Sequence, residues 1–176
     1  MMGADVRTVA RSEERLRRLD ELYVQHFPSA VGLAFLLTGN QHQAEDLAQE
    51  AFVRLCGRFG HLRDPQAFRA YLRKTVVNLH LSGLRRLRLE RALAERNRGG
   101  LVDMRSEMPD VGERRDLWTA LQRLPARQRS AIVLRYYEDL SERETASVLR
   151  CSVAAAKSLV ARGMEILRNE LRGEDE

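Results

Sequence analysis

"YYEDLSERETASVLRCSVAAAKSLVARGMEIL", residues 136–167, holds two short helical patterns separated by Arg150-Cys151-Ser152. Ser141-Glu142-Arg143-Glu144 reads as a capping box, in which the serine oxygen accepts from the third helical amide and Glu144 reaches back to the Ser141 amide. The helix it opens is about two turns long, too short to hold without packing. Ala146 is small where a second helix would cross. Leu149, Cys151, Ala156 and Leu159 are apolar at the positions a helix-turn-helix buries. Ser152 then caps a longer helix whose early face shows Ala155, Lys157, Ser158, Ala161 and Arg162. Small residues there let a helix backbone approach a major groove, with Lys157 and Arg162 in reach of bases or phosphates. An ordinary helical hairpin fits the same spacing, and this stretch alone leaves both readings open.

Upstream, helix signals recur. Pro28 suits a first helical turn, and the helix it opens, 28–38, ends at Gly39, which can take a left-handed C-cap. Ala44, Leu47, Ala48, Ala51, Phe52 and Leu55 predict a second helix from Gln41 to Cys56. Asp64-Pro65 is an N-cap and a first-turn proline, opening a long helix from 65 to about 90. Its apolar stripe uses Phe68, Tyr71, Leu72, Thr75, Val76, Leu79 and Leu84. Periodicity is lost around "ERNRGGLVDMRSEMPDVGE" and resumes in four pieces, 113–123, 126–138, 142–149 and 153–171. The expected fold is all-α: two small helical domains, 12–92 and 113–172, joined by a flexible linker, 93–112.

The 176 residues carry 30 Lys and Arg against 25 Asp and Glu, a net +5. That excess is concentrated: residues 61–100 hold ten basic and three acidic side chains, whereas the segments before and after it are each net −1. A like-charge block is often only a solvated surface. Here it is interleaved with apolar helical spacing, which describes one basic face of a folded helix and suggests a polyanionic partner. Cys56 and Cys151 fit no metal-ligand spacing and stand among apolar neighbours, so buried thiols in a reducing cytoplasm are expected. The longest apolar run, residues 30–37, is far short of the roughly 20 residues that cross a bilayer. No signal-peptide pattern, nucleotide-binding glycine loop, metal cluster or nucleophile–base pairing is present, so no catalytic residue, metal or cofactor is assigned.

At this point the chain resembles a known family. "LPARQRSAIVLRYYEDLSERETASVLRCSVAAAKSLVARGMEIL" is similar to region four of the extracytoplasmic-function (group IV) sigma factors of bacterial RNA polymerase. "LLTGNQHQAEDLAQEAFVRL" and "HLRDPQAFRAYLRKTVVNLHLSGLRRLR" resemble their region two, in wording closest to the actinobacterial SigE-like group. The resemblance implies a specificity subunit that binds core polymerase, captures a melted minus-ten element and reads a minus-35 duplex. "AEDLAQEAF" resembles the segment that docks on the β′ clamp coiled coil, which implies Glu45, Asp46, Leu47, Gln49, Glu50 and Phe52 as the polymerase-binding set. The minus-ten set it implies is His61, Arg63, Asp64 and Gln66 in a specificity loop and Asn78 at a flipped-base pocket. Tyr71 stands where the family often has tryptophan, and Arg73, Lys74, Arg85, Arg86 and Arg88 are implied phosphate contacts.

For the minus-35 element the resemblance implies Ala155, Lys157, Ser158, Ala161 and Arg162. Ala154-Ala155 replaces the family's usual Gly-Thr, Leu159 stands where a polar residue is common, and Arg150 holds a turn position often given to glycine. Leu117, Trp118, Leu121 and Leu124 divide between core and a grip on the β flap tip. Asp103, Glu107 and Asp110 would carry acidic charge through the polymerase cleft. Implied partners are core polymerase, promoter DNA and a membrane-bound anti-sigma factor, with no small-molecule substrate. Two other classes are weighed against this: a stand-alone helix-turn-helix regulator, and a helical hydrolase or transferase built on His26, His42, His61 and His80. The first leaves "AEDLAQEAF" and the basic helix unexplained, and the second has no paired histidine spacing.

Overall fold

The computed structural model describes residues 3–57, 65–95 and 112–172. They form α1 (Gly3–Thr38), α2 (Gln41–Cys56), α3 (Pro65–Glu95), α4 (Gly112–Arg123), α5 (Ala126–Ile132), α6 (Glu142–Leu149) and α7 (Val153–Arg172). A π-helical turn, Val133–Tyr137, continues α5 directly. Among the described residues there is no strand, in keeping with the all-α expectation.

Helix α1 differs from the reading at its start. It does not begin at Pro28 but runs through it. An internal proline removes one amide donor and crowds the preceding turn, at a cost of about 3 kcal/mol in an isolated helix. Packing on both sides offsets that cost. Leu22 before the proline and Ala30, Leu33, Ala34 and Leu37 after it are buried. Tyr23 stacks on Phe27 at 4.3 Å, and both rings meet Phe52 edge-on. Gly39 ends α1 at φ 75°, the left-handed conformation that favours glycine. The Asn40 side chain then accepts from the Gln43 amide at 2.9 Å and starts α2. Alanines 44, 48 and 51 are fully buried, which lets α2 lie close against α1.

On α3 the buried ridge is Phe68, Leu72, Val76 and Val77, extended by Leu81. Tyr71 is not part of it, being 51% exposed. The four-residue step 68–72–76 faces the core, and Tyr71 and Thr75 fall one position round the helix, at its edge. In the C-terminal half, Trp118, Leu121 and Leu124 are buried while Leu117 is half exposed. Cys56 and Cys151 are half-buried rather than sealed in the core.

The helix-turn-helix forms as its spacing predicts. Glu144 accepts from the Ser141 amide at 2.8 Å and the Ser141 hydroxyl accepts from the Glu144 amide at 3.2 Å. The Ser141 hydroxyl, which donates to the Glu144 carboxylate at 2.6 Å, and then the Ser141 amide hold that carboxyl below the usual range. Arg150 ends α6 in the left-handed region, φ 52° and ψ 53°. The Cys151 amide bonds back to Ala146 at 3.0 Å, and Ser152 accepts from the Ala155 amide at 3.1 Å to start α7.

The two halves share one apolar core. Phe35 of α1 stacks on Trp118 of α4 at 4.5 Å. Gln122 donates to the Leu36 carbonyl at 3.2 Å and Arg129 to the Leu37 carbonyl at 2.9 Å. These carbonyls lie in the last turn of α1, where no intrahelical amide remains, so the C-terminal half caps a helix of the N-terminal half. Burial pushes the Arg129 guanidinium down to about 10, leaving it protonated at neutral pH. Burial, and then the Arg129 charge, push the neighbouring His80 imidazole down to about 4, and its Nε2 is enclosed with no hydrogen-bond partner.

Two consequences are measurable. Replacing Arg150 by glycine removes left-handed strain of about 1 kcal/mol, so Arg150→Gly should raise the urea midpoint. His80 stays neutral in the folded chain down to about pH 4, whereas unfolded it takes a proton near its ordinary 6.5. The unfolded state therefore binds more protons between those values, and stability should fall as pH drops from about 6.5 to 4, by up to about 3 kcal/mol. Urea melts across that window should show a shallower fall in His80→Gln.

Candidate nucleic-acid interface

Tyr71, Lys74, Thr75, Asn78, Ser82 and Arg85 recur at three- and four-residue steps along α3 and so share one face. With Arg54 of α2 and Arg150 of the α6–α7 turn they line a cavity of about 510 Å³. Four cations and no carboxylate stand in that lining, so it favours anions. Arg54 pairs with Glu50 at 2.6 Å, an exposed one-turn pair that is easily exchanged for another anion. The Asn78 amide donates to the Lys74 carbonyl at 2.6 Å and, more weakly, to the Val148 carbonyl of α6 at 3.4 Å.

Of the residues expected at the minus-ten element, the cavity thus gathers Tyr71, Lys74, Asn78 and Arg85. Arg73 is turned away from it. Its guanidinium, 13% exposed, meets Glu138 at 2.7 Å and does not stand open to a phosphate. Arg86 pairs with Glu90 at 3.5 Å, and neither it nor the exposed Arg88 lines the cavity. His61, Arg63 and Asp64 lie outside the described residues, as do Asp103, Glu107 and Asp110, and Gln66 is described only as backbone of α3. The sequence reading missed Arg54, Thr75, Ser82 and Arg150 as members of this site. Thr75 and Ser82 were detectable from their spacing to Asn78. Arg54 and Arg150 arrive only through tertiary packing.

On α2, Asp46, Gln49 and Glu50 are exposed and Leu47 is half-buried beside them. Glu45 is half-buried and accepts from the Gln41 amide at 2.6 Å. Phe52 lies behind this face: it is 6% exposed, with Tyr23 and Phe68 against its ring at 5.1 and 5.4 Å.

On α7, Ala161 and Arg162 are exposed, Ala155 and Ser158 are half-buried, and Lys157 pairs with Glu142 at 3.1 Å. Leu159 is half-buried and packs against the core. Trp118, Leu121 and Leu124 are core, which leaves Leu117 as the exposed apolar residue of α4. Among the described residues no group of three or more His, Cys, Asp or Glu could hold a metal ion, and no helix is long and apolar enough to cross a membrane.

Comparison with known proteins matches both halves. Residues 22–90 match the Sigma-70 region 2 profile and residues 114–167 the Sigma-70 region 4 profile. The chain is 35% identical over 157 residues to the ECF RNA polymerase sigma factor SigE of Mycolicibacterium smegmatis, covering 86% of this chain but only 61% of that relative's length. It is 36% identical to the RNA polymerase sigma-E factor of Streptomyces avermitilis, covering 75% of this chain and 73% of the relative. Its fold is similar to the sigma factor RpoE of Bartonella quintana, solved in complex with the anti-sigma factor NepR, at a TM-score of 0.71 and 22% identity, over 89% of this chain and 98% of that one. Two profiles in the same order as the two halves, and relatives matched across both, place the chain: it belongs to the sigma-70 family, among the extracytoplasmic-function sigma factors.

Proposed function

We propose that this chain is an alternative sigma factor that binds core RNA polymerase and directs promoter-specific initiation, with no catalytic step of its own. The observation that carries this reading is the cavity around Asn78, with Arg54, Lys74, Arg85 and Arg150 in its lining. Holding a base out of a duplex costs a few kcal/mol per unstacked step. An amide that can read a base edge, ringed by cations that hold the backbone, fits that task. Tyr71, half exposed at the rim, offers a stacking face.

In the same reading Asp46, Gln49 and Glu50 beside Leu47 meet the β′ clamp coiled coil, as acidic and amide groups next to an apolar residue suit a basic partner. Leu117 meets the β flap tip. Helix α7 enters the major groove of a minus-35 duplex through Lys157, Ser158, Ala161 and Arg162. The chain works in the cytoplasm and is restrained by an anti-sigma factor, a proposal prompted by the sigma–anti-sigma complex named above. A stand-alone duplex-binding regulator would leave the N-terminal half without a role.

Two variants test this. Asp46→Ala with Gln49→Ala should keep its circular dichroism and lose co-elution with sigma-free core polymerase; retained co-elution would refute the docking face. Asn78→Ala should co-elute normally yet lose open-complex formation about tenfold to a hundredfold, the worth of one good amide–base contact. Unchanged permanganate reactivity at the minus-ten element would remove Asn78 from the site.

A further inference from the structure

Lys157 of α7 does not stand alone on the face that meets the minus-35 duplex. Its Nζ lies 3.1 Å from a carboxylate oxygen of Glu142, in the first turn of α6, and the two side chains are 59% and 45% exposed. The capping box does not need Glu142, because Glu144 already accepts from the Ser141 amide. An exposed pair of this kind contributes little to stability. The side chains around it are short: Ala154 and Ala161 are exposed and Ala155 is half-buried, so the pair projects from the front of α7. Both residues line a cleft of about 360 Å³ between the π-helical turn, α6 and α7. Among the described residues of that lining Glu142 is the one carboxylate, and Arg135, Lys157 and Arg168 are the cations.

A carboxylate brought up to a duplex meets phosphates of its own sign, and that contact is unfavourable unless the DNA offers it a donor. In the major groove the donors are the exocyclic amines of cytosine and adenine. Resting on the sigma-factor reading, we propose that Glu142 is a specificity-determining residue: with Lys157 it forms a donor–acceptor pair that reads one G·C base pair of the minus-35 element. The ammonium donates to guanine O6 and N7, and the carboxylate accepts from cytosine N4. Within a G·C pair O6 and N4 are themselves hydrogen-bonded, about 2.9 Å apart, which matches the 3.1 Å between the two protein groups. An A·T pair also sets a donor beside an acceptor. Its thymine, however, offers the ammonium one oxygen and a methyl group where guanine offers two acceptors. The carboxylate has a second effect, because it cancels the Lys157 charge. Residues 101–176 are already net −1, so region four gains little from phosphates of any sequence and depends on the base contact.

The test uses the full chain assembled with core polymerase and a duplex library randomised across the minus-35 element, sequenced before and after binding. Wild type should select a G·C pair at one position by at least about fivefold over the other pairs. Glu142→Ala should lose that preference and keep those at the other positions. It should also bind mixed-sequence duplex more tightly, with a salt slope steeper by about 0.9 as Lys157 takes up a phosphate. Glu142→Gln, which keeps the side chain's length, should move the preference from cytosine to adenine, since glutamine pairs with adenine N6 and N7. Both variants should match wild type in circular dichroism and in co-elution with core polymerase. If Glu142→Ala loses helix content, Glu142→Gln decides. Selection that both variants leave unchanged, or preferences weakened equally at every position, overturns the base reading. Loss of an A·T preference instead overturns the assignment to guanine and cytosine. A wild type that selects no minus-35 sequence refutes the sigma-factor reading and the base reading with it.

Discussion

A carboxylate side chain that is 6% exposed is costly to bury unless a cation pairs with it, and Glu138 has the Arg73 guanidinium at 2.7 Å. Its partner is found 65 residues earlier in the chain, on α3. Breaking a buried pair leaves an uncompensated charge, which costs about 3–5 kcal/mol and far exceeds what an exposed pair contributes. The position of region four on region two therefore depends on this contact more than on any of the surface pairs along α1 or α3. Once Glu138 is fixed on Arg73, Tyr137 reaches Gly32 and α6 comes beside Asn78.

The other end of the seam is held by a different device. Helix α1 ends with unpaired carbonyls, and Gln122 and Arg129 supply the missing donors from α4 and α5. A cation at a helix C-terminus also interacts favourably with the helix dipole. His80 is enclosed nearby as the neutral imidazole, because burial and the Arg129 charge both oppose its protonation. These directional polar contacts add to the apolar core that the two halves share. Part of the net +7 segment is also neutralised within the chain: Arg73 pairs with Glu138, and Arg69 shares the same carboxylate.

Much of this was legible in the sequence. The capping box, the left-handed Gly39, the limits of α2 and the turn before α7 follow from local chemistry, and all four form as read. The continuation of α1 through Pro28 was not legible, because the aromatic packing that tolerates it comes from Phe52 and Phe68 on other helices. The basic face of α3 was visible as a charge block, but its division into a cavity-lining side and a Glu138-bound side was not. Which side an arginine takes depends on what packs against the helix, and only the tertiary structure supplies that. Whether Phe52 sits at the ridge or behind it was open in the sequence, since an apolar residue beside acidic ones fits either place, and its burial puts it behind. Arg54 and Arg150 joined the cavity from outside the charge block, where no periodicity could point to them.

Hydrogen–deuterium exchange of the chain alone, with core polymerase, and with core polymerase plus promoter DNA tests the sigma-factor reading most directly. Amides of α2 around Asp46 should slow on polymerase binding, and those of residues 71–85 should slow further once promoter DNA is added. Unchanged exchange in α2, or slowing of residues 71–85 by DNA without polymerase, would contradict it.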